Sequence, residues 1–424
     1  MPFPAGTPGS YAVADWVSLE ALRLLKNMLE VASIANFTYQ DEFSKDFQPG
    51  DTIRVKFPQE FRVTDGFAYA AQAINRQTTT VTIDQPMQIA FEWDSIEEAL
   101  KLERTEAQIR EEYILPAMVQ MSQEFELRFM DFIFFNCNNV VGGLDHIPTS
   151  WDVYAQARQR MVENAGWGAA QRRLMAVTPG MMRTMINNSL TLFNPMDEIS
   201  QQYKRGSIGI AAGWEWFETM SFHQHRTGHW GNFATLAVNG ANQSGTTLRV
   251  HAGNGDVFRR GDIFNIAGVY NVNPRTRRST NTLKQFKVME TVTASGGQAV
   301  LNIIPPLISF PSPYQNVSAL PANNARLTMW PGTALTPGQE MNGVLGIGLN
   351  NLAFAMAGIE LMMPQEGGVV NLARQQRDPN TGIGIAIISM FDGILRRQIN
   401  RIDSLIGFGR LYYDRCAVLV ASSE

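Results

Sequence analysis

The spacing of apolar and polar positions changes several times along this chain, and the changes divide it. Residues 18–37 bring Leu22, Leu25, Leu29 and Ala32 to one side, which predicts an amphipathic helix docked on a core, its own or a neighbour's. From Phe47 the period falls to two. Ile53, Val55 and Phe57 alternate with Arg54 and Lys56 after the turn residues Pro49, Gly50 and Asp51, and residues 78–93 return as strand. Between them, residues 61–77 have little to bury, and a two-stranded excursion of that kind is marginal unless it lies on something else.

Residues 95–136 restore helical spacing through Ile109, Tyr113, Leu115, Met118, Val119, Phe125, Phe129 and Phe132. Asp94 or Ser95 is placed to cap the start, and Glu97 and Glu98 suit the positive end of the helix dipole. Unbroken, roughly 40 residues at 1.5 Å rise give a beam about 60 Å long. Pro116 removes one backbone hydrogen bond, which predicts a kink or two abutting helices.

The remainder reads as mixed α and β. Residues 151–168 predict a helix ending at Gly166. Residues 174–177 predict a buried strand, followed by a Pro179-Gly180 turn and a helix. Strand character returns at 208–210 and 214–220. From 230 to 338 the chain is rich in Asn, Gly, Thr and Ser, with short strand runs at 235–240, 246–251, 262–269, 286–292 and 299–304, the pattern of a small all-β barrel or sandwich. Residues 348–363 predict a helix running into a strand, 383–390 a buried strand, and the C-terminal stretch another. No internal repeat of 20–50 residues is present.

Composition narrows the function. The 424 residues suffice for two or three domains, yet only 17% are charged and the net charge is −4. So weakly charged a surface suits subunit contacts, and the acidic balance argues against reading nucleic-acid sequence, though not against enclosing nucleic acid. Two cysteines, Cys137 and Cys416, make no disulfide framework, so a reducing compartment is the default. No basic region leads into an apolar run at the N-terminus, and no stretch of 18 apolar residues occurs, so neither a signal peptide nor a membrane span is expected.

Candidate chemistry is thin. His223, His225 and His229 give the one metal-like spacing, but Thr227-Gly228 implies a turn before the third, and a polar strand is the stronger reading. Glu97, Glu98, Glu111 and Glu112 are most simply solvated or paired with Lys101, Arg104 and Arg110. Phosphate-binding and nucleophile-elbow motifs are lacking. No catalytic group and no cofactor is expected, and the chain does not read as an enzyme.

Three stretches carry a resemblance. Residues 206–228 (GSIGIAAGWEWFETMSFHQHRTG), 257–288 (VFRRGDIFNIAGVYNVNPRTRRSTNTLKQFKV) and 102–126 (LERTEAQIREEYILPAMVQMSQEFE) occur in this order, and the second is the most specific. The chain resembles the major capsid (coat) proteins of short-tailed double-stranded-DNA bacteriophages, in the branch whose tailed-phage capsid fold carries an inserted β-domain. The resemblance implies an α+β fold with an N-terminal arm (1–46), an extended hairpin loop (47–94) and a spine helix (95–136). The spine belongs to a first part of the peripheral and axial domains (95–229), followed by an inserted all-β domain (230–338) and a second peripheral and axial part (339–424). It implies self-assembly through pentamers and hexamers into an icosahedral head in the host bacterial cytoplasm. Partners would be a scaffolding protein, a portal protein and a cement or decoration protein, with the double-stranded DNA enclosed without sequence-specific binding. Arg54, Lys56, Arg62 and Arg76 are the candidate inter-subunit residues on the loop, and Arg275, Arg277 and Arg278 form a basic loop of the insertion. The rival expectation is the shell of an encapsulin-like nanocompartment.

Overall fold

A computed structural model of the chain describes residues 10–38, 52–61, 63, 71–72, 77–94, 114–168, 171–189, 208–331, 337–359, 361, 363–364, 370–378, 381–394 and 397–423. The chain forms two units, each drawn from separate segments. The first comprises Met1–Val55, Thr78–Arg128 and Ala355–Gly409, and the second Lys56–Gln77, Phe129–Phe354 and Arg410–Glu424.

The first unit is built on a twisted, mainly antiparallel sheet. Its strand order runs Thr52–Lys56, Thr78–Asp94, Arg397–Arg410, Gly384–Asp392, Val370–Arg377, and Phe354–Ile359 also pairs with Arg397–Arg410. The expected alternation at residues 78–93 is realised as one long strand in which Val81, Ile83 and Met87 are buried. A register shift between Ile83 and Gln85 absorbs one extra residue just ahead of Pro86, the usual place for a proline inside a sheet.

The helix Ser10–Met28 packs on the strands Val370–Arg377 and Gly384–Asp392 through Ala21, Leu22, Leu24 and Leu25, so it docks on its own subunit. It starts earlier than its apolar face predicts and ends at Met28, and Ala32–Ile34 form a separate 3-10 turn. Glu126 fixes that turn. Its buried carboxylate accepts from the backbone N–H groups of Glu30 at 2.8 Å, Val31 at 3.3 Å and Ala32 at 3.1 Å. Lys26 adds an ion pair to Asp378 at 3.1 Å.

The helix Leu115–Asn136 contributes its earlier residues to the first unit and Phe129 onward to the second. Pro116 is the second residue of that helix, and Ile114 before it lies in a π-helical turn, so the residues that would show the expected kink fall outside the described ones. The rest of the expected beam, residues 95–113, lies outside the described residues.

Among the described residues the second unit holds two large sheets and a two-stranded one, Val257–Phe258 paired with Val292–Thr293. One large sheet runs Val140–Gly142, Ala417–Ser422, Asn342–Asn350, Arg173–Val177, Trp214–Glu218, Ile210–Ala211, with Gln224–Arg226 added beside Asn342–Asn350. The helices Trp151–Glu163 and Pro179–Ser189 cover it through Tyr154, Met161, Met181 and Met185, which close a core with Trp214 and Trp216. The other large sheet runs Leu327–Met329, Ile263–Val272, Ser279–Val288, Gln298–Leu307, Gly245–His251, Ala237–Val238. Its core includes Trp230, Leu248, Phe264, Phe286, Val288 and Leu301, all buried.

Two expectations are corrected. The helix expected to open residues 348–363 is not formed: Asn342–Asn350 and Phe354–Ile359 are strands joined by a turn in which Asn350 Oδ1 accepts from Leu352 N at 2.9 Å. The run Phe354 to Ala357 is buried without alternation, so its continuous hydrophobicity belongs to a strand covered on both faces. Pro179-Gly180 is not a turn but the start of a helix, with Thr178 Oγ1 accepting from Met181 N at 3.3 Å as its cap.

Glu126 generates a direct test. Replacing it with Ala leaves buried N–H donors without their charged acceptor, so Glu126→Ala is expected to lower subunit stability by about 2–3 kcal/mol, and Glu126→Gln by less. Urea unfolding of the free subunit checks both values. A loss within error of zero for Glu126→Ala would contradict the role given to the carboxylate.

Candidate functional site

A buried polar network of the second unit lies where the helix Leu115–Asn136 ends against the strand Ser279–Val288. A helix leaves its last carbonyls without intrahelical partners. Here Ile133 O accepts from Cys137 N at 2.8 Å and Phe132 O from Asn136 Nδ2 at 2.7 Å, while Phe134 O accepts from Nζ of Lys287. Lys287 is fully buried, and its Nζ also sits 3.9 Å from the centroid of the Phe134 ring. The negative end of a helix dipole and the face of an aromatic ring both suit a cation. Burial nevertheless dominates and lowers the Lys287 pKa from 10.5 to about 7.

Alternation along the strand explains the placement. Phe286 and Val288 enter the β core, and Gln285 and Lys287 leave the opposite face toward the helix end. Gln285 acts as a substitute strand neighbour, taking Val140 N on its Oε1 at 2.9 Å and donating Nε2 to Val140 O at 2.9 Å. Asn138 Nδ2 donates to Gln285 O at 2.9 Å.

A file of side-chain amides continues the seam. Lys284 Nζ donates to Asn271 Oδ1 at 3.1 Å, Asn271 Nδ2 to Asn164 Oδ1 at 2.8 Å, and Asn164 Nδ2 to Asn139 Oδ1 at 3.3 Å. Asn139 Nδ2 then reaches the carbonyls of Asp414 at 2.9 Å and Ala417 at 3.0 Å. The two large sheets of this unit are therefore joined by directional bonds whose donors and acceptors lie away from water, where an unmade bond is costly.

Two of the three histidines pair with carboxylates beside this seam. His225, buried on the strand Gln224–Arg226, donates Nε2–H to Asp262 Oδ1 at 3.1 Å, and burial lowers its pKa. Asp262 also accepts from Arg259 N at 2.6 Å and Gly228 N at 3.1 Å. His223 pairs with Asp131 at 2.9 Å and stacks on Phe134 with centroids 4.4 Å apart, whereas His229 makes a backbone bridge to Val257. Among the described residues no group of three His, Cys, Asp or Glu side chains is placed to hold a metal. Gly261, at φ 103°, passes so close that an added Cβ would lie 2.9 Å from the Phe134 ring.

The residues singled out from sequence have separate fates. Arg54 and Lys56 are exposed on the edge strand Thr52–Lys56, on the side away from buried Val55. Arg62 and Arg76 lie outside the described residues. Arg275 is exposed, its N–H held by Asn273 Oδ1 at 2.9 Å. Arg278, also exposed, lines with Arg158 and Glu163 an open groove of about 530 Å³. Among the described ones only Arg277 is drawn inward: its Nη2 meets Glu60 Oε2 at 2.9 Å, and Arg415 Nη1 meets Glu60 Oε1 at 2.7 Å. Reading the sequence missed Glu60, Arg415 and the whole lysine–amide seam. A signal was available for Glu60, the one acid between Asp51 and Asp65.

Lys287 predicts a pH dependence. Its folded pKa lies below its unfolded one, so between about pH 7 and pH 10.5 the unfolded chain binds a proton that the folded chain does not. Its contribution to stability therefore rises with pH across that window, by up to about 1.4 kcal/mol per unit. The opposite slope sets in above pH 9, because burial raises Cys137 to about 11 and Cys416 to about 12. Urea unfolding of the subunit at pH 7.0 and 8.5 should show stabilisation that Lys287→Met removes. Identical pH slopes for the two proteins would contradict the assignment.

The sequence matches the family described as P22 coat protein - gene protein 5 over residues 19–342. No curated relative matches it. Among solved structures, the fold is similar to one from Mycobacterium phage Che8, at 10% identity over 92% of this chain and 90% of that one, with a TM-score of 0.47. The capsid of cyanophage P-SCSP1u is similar at 11% identity over 88% and 84%, with a TM-score of 0.41. The CUS-3 coat protein I-domain aligns at 25% identity over 23% of this chain and 97% of that one, with a TM-score of 0.19. With the family covering most of its length, the chain belongs to the P22 coat protein family, and it is a major capsid protein whose copies form a bacteriophage head shell.

Proposed function

We propose that copies of this chain close the shell by laying the extended loop, residues 47–94, on neighbouring subunits, with the seam around Lys287 holding each subunit in one shape as they meet. The observation that carries this reading is the exposure of the segment leaving the strand Thr52–Lys56. Phe61 is 65% and Val63 91% exposed, beyond an edge strand whose Arg54 and Lys56 also face solvent. Large apolar side chains this open, on a chain that assembles with itself, are suited to burial at an interface. Arg54, Lys56, Arg62 and Arg76 supply the polar rim of that contact, where charges set register and partner choice more than affinity.

Many modest contacts repeated in closed symmetry give a stable shell without any one being strong. Pentamer and hexamer settings differ in angle, which assigns the adjustable role to loop and arm and the constant one to the seamed core. Residues 230–338 act as an inserted β-domain that braces this core. Assembly takes place in the host bacterial cytoplasm with a scaffolding protein setting curvature, a portal protein at one vertex and, on the finished head, a cement or decoration protein. The double-stranded DNA is confined, not read: a net charge of −4 gives phosphates no general attraction. No helix among the described residues is long and apolar enough to cross a membrane.

Two experiments test this reading. Replacing residues 62–76 with a short glycine linker should leave folded subunits that form no closed shells by electron microscopy. Normal shells from that variant would remove the loop from the interface. The excised segment 230–338 should give a β-type far-UV spectrum with a cooperative melt, because its buried core from Trp230 to Met329 closes within it. A disordered spectrum would contradict its standing as an inserted domain.

A further inference from the structure

Arg277 occupies the left-handed region at φ 58°, in a turn where its N–H donates to Asn273 O at 2.8 Å. Glycine and asparagine take that conformation readily, and a long side chain does not. Strain of this kind persists where the side chain has a task. The guanidinium of Arg277 reaches Glu60 at 2.9 Å and Gln315 O at 3.4 Å, and Arg415 takes the other carboxylate oxygen of Glu60 at 2.7 Å. With side chains only 16% and 23% exposed, these groups are poorly screened. Beside them Tyr314 OH donates to Gln59 Oε1 at 3.2 Å, and the rings of Phe57 and Tyr412 lie 5.0 Å apart. The root of the loop is thus held on several sides, and the next residues, Phe61 and Val63, stand 65% and 91% exposed.

We propose that Arg277, Glu60 and Arg415 form a positioning clamp that sets where the extended loop leaves the subunit, presenting Phe61 and Val63 as a docking pair for a second copy of this chain. The inference rests on the reading of residues 47–94 as a loop that reaches a neighbour. It accounts for an arginine where backbone geometry favours glycine: a fork-shaped cation grips one carboxylate oxygen and a carbonyl at once, and neither glycine nor lysine does that. A second copy is the occupant because the family builds its shell from copies of one chain, and because the pair emerges beside an anchored root.

The test uses the full chain and compares thermal unfolding of the subunit with the yield of closed shells by sedimentation and microscopy. Arg277→Gly relieves the backbone but gives up one of the two cations on Glu60, effects of opposite sign, so its subunit should melt near the parent temperature while shell yield falls sharply. Glu60→Gln should lower yield similarly, Arg277→Lys less, and Phe61→Asp with Val63→Asp as much as Arg277→Gly. Normal shells from Arg277→Gly would overturn the clamp, and a clearly lowered melting temperature would overturn it too by assigning Arg277 to subunit stability. Normal shells from the double aspartate variant would overturn the docking pair. If the glycine-linker variant lacking residues 62–76 fails to assemble while Arg277→Gly assembles normally, the clamp alone fails. If the linker variant assembles normally, the loop reading itself fails.

Discussion

A buried lysine at the end of a helix is the contact on which the second unit turns. Taking the Lys287 amine out of water is expensive, and its partners repay only part of that cost: one carbonyl and one ring of the same residue, Phe134. What the arrangement adds is direction. The bond to Phe134 O forms only when the strand Ser279–Val288 and the helix end meet in one register, and Gln285 repeats that demand two residues earlier with both polar groups of Val140. An apolar contact of equal area would tolerate sliding, and this one does not. The asparagine file from Lys284 to Asp414 O carries the same requirement to the C-terminal strand Ala417–Ser422.

That rigidity bears on assembly. A shell made of one chain asks each copy to present the same interface in different surroundings, so differences between settings are best confined to peripheral segments. The first unit follows a similar economy. Its N-terminal helix is tied back by Glu126 and by Lys26, through groups on the spine helix and beyond the strand Val370–Arg377. Phe61 and Val63, by contrast, stand largely exposed beyond the strand Thr52–Lys56.

Much of the fold was legible where one face is wet. The alternation of the strand Thr78–Asp94, the apolar face of the N-terminal helix and the turn-punctuated strands between Ala237 and Met329 all follow from period and turn residues. Residues 348–363 misled because a strand covered on both faces loses its period, and Leu, Ala and Met there are good helix formers. Pro179-Gly180 misled because a proline opening a helix and a Pro-Gly turn share the same two letters. The seam was invisible for a deeper reason. Lysine and glutamine in a strand ordinarily mark a solvated face, and nothing local to Lys284, Gln285 and Lys287 says that a helix end and an asparagine file wait opposite. Arg277 differs from Arg275 and Arg278 through its backbone conformation and through Glu60, which lies 217 residues away in the chain.

The most direct measurement of the seam is native-state hydrogen exchange at one amide. Val140 N–H donates to the side chain of Gln285, while Leu419 N–H in the adjoining strand donates to the backbone of Asn139. If the two sheets form one cooperative body, Val140 in the free subunit exchanges as slowly as Leu419, and both follow global unfolding. Exchange at Val140 orders of magnitude faster than at Leu419 would mean that the seam opens by itself, and would contradict the account of a subunit locked before assembly.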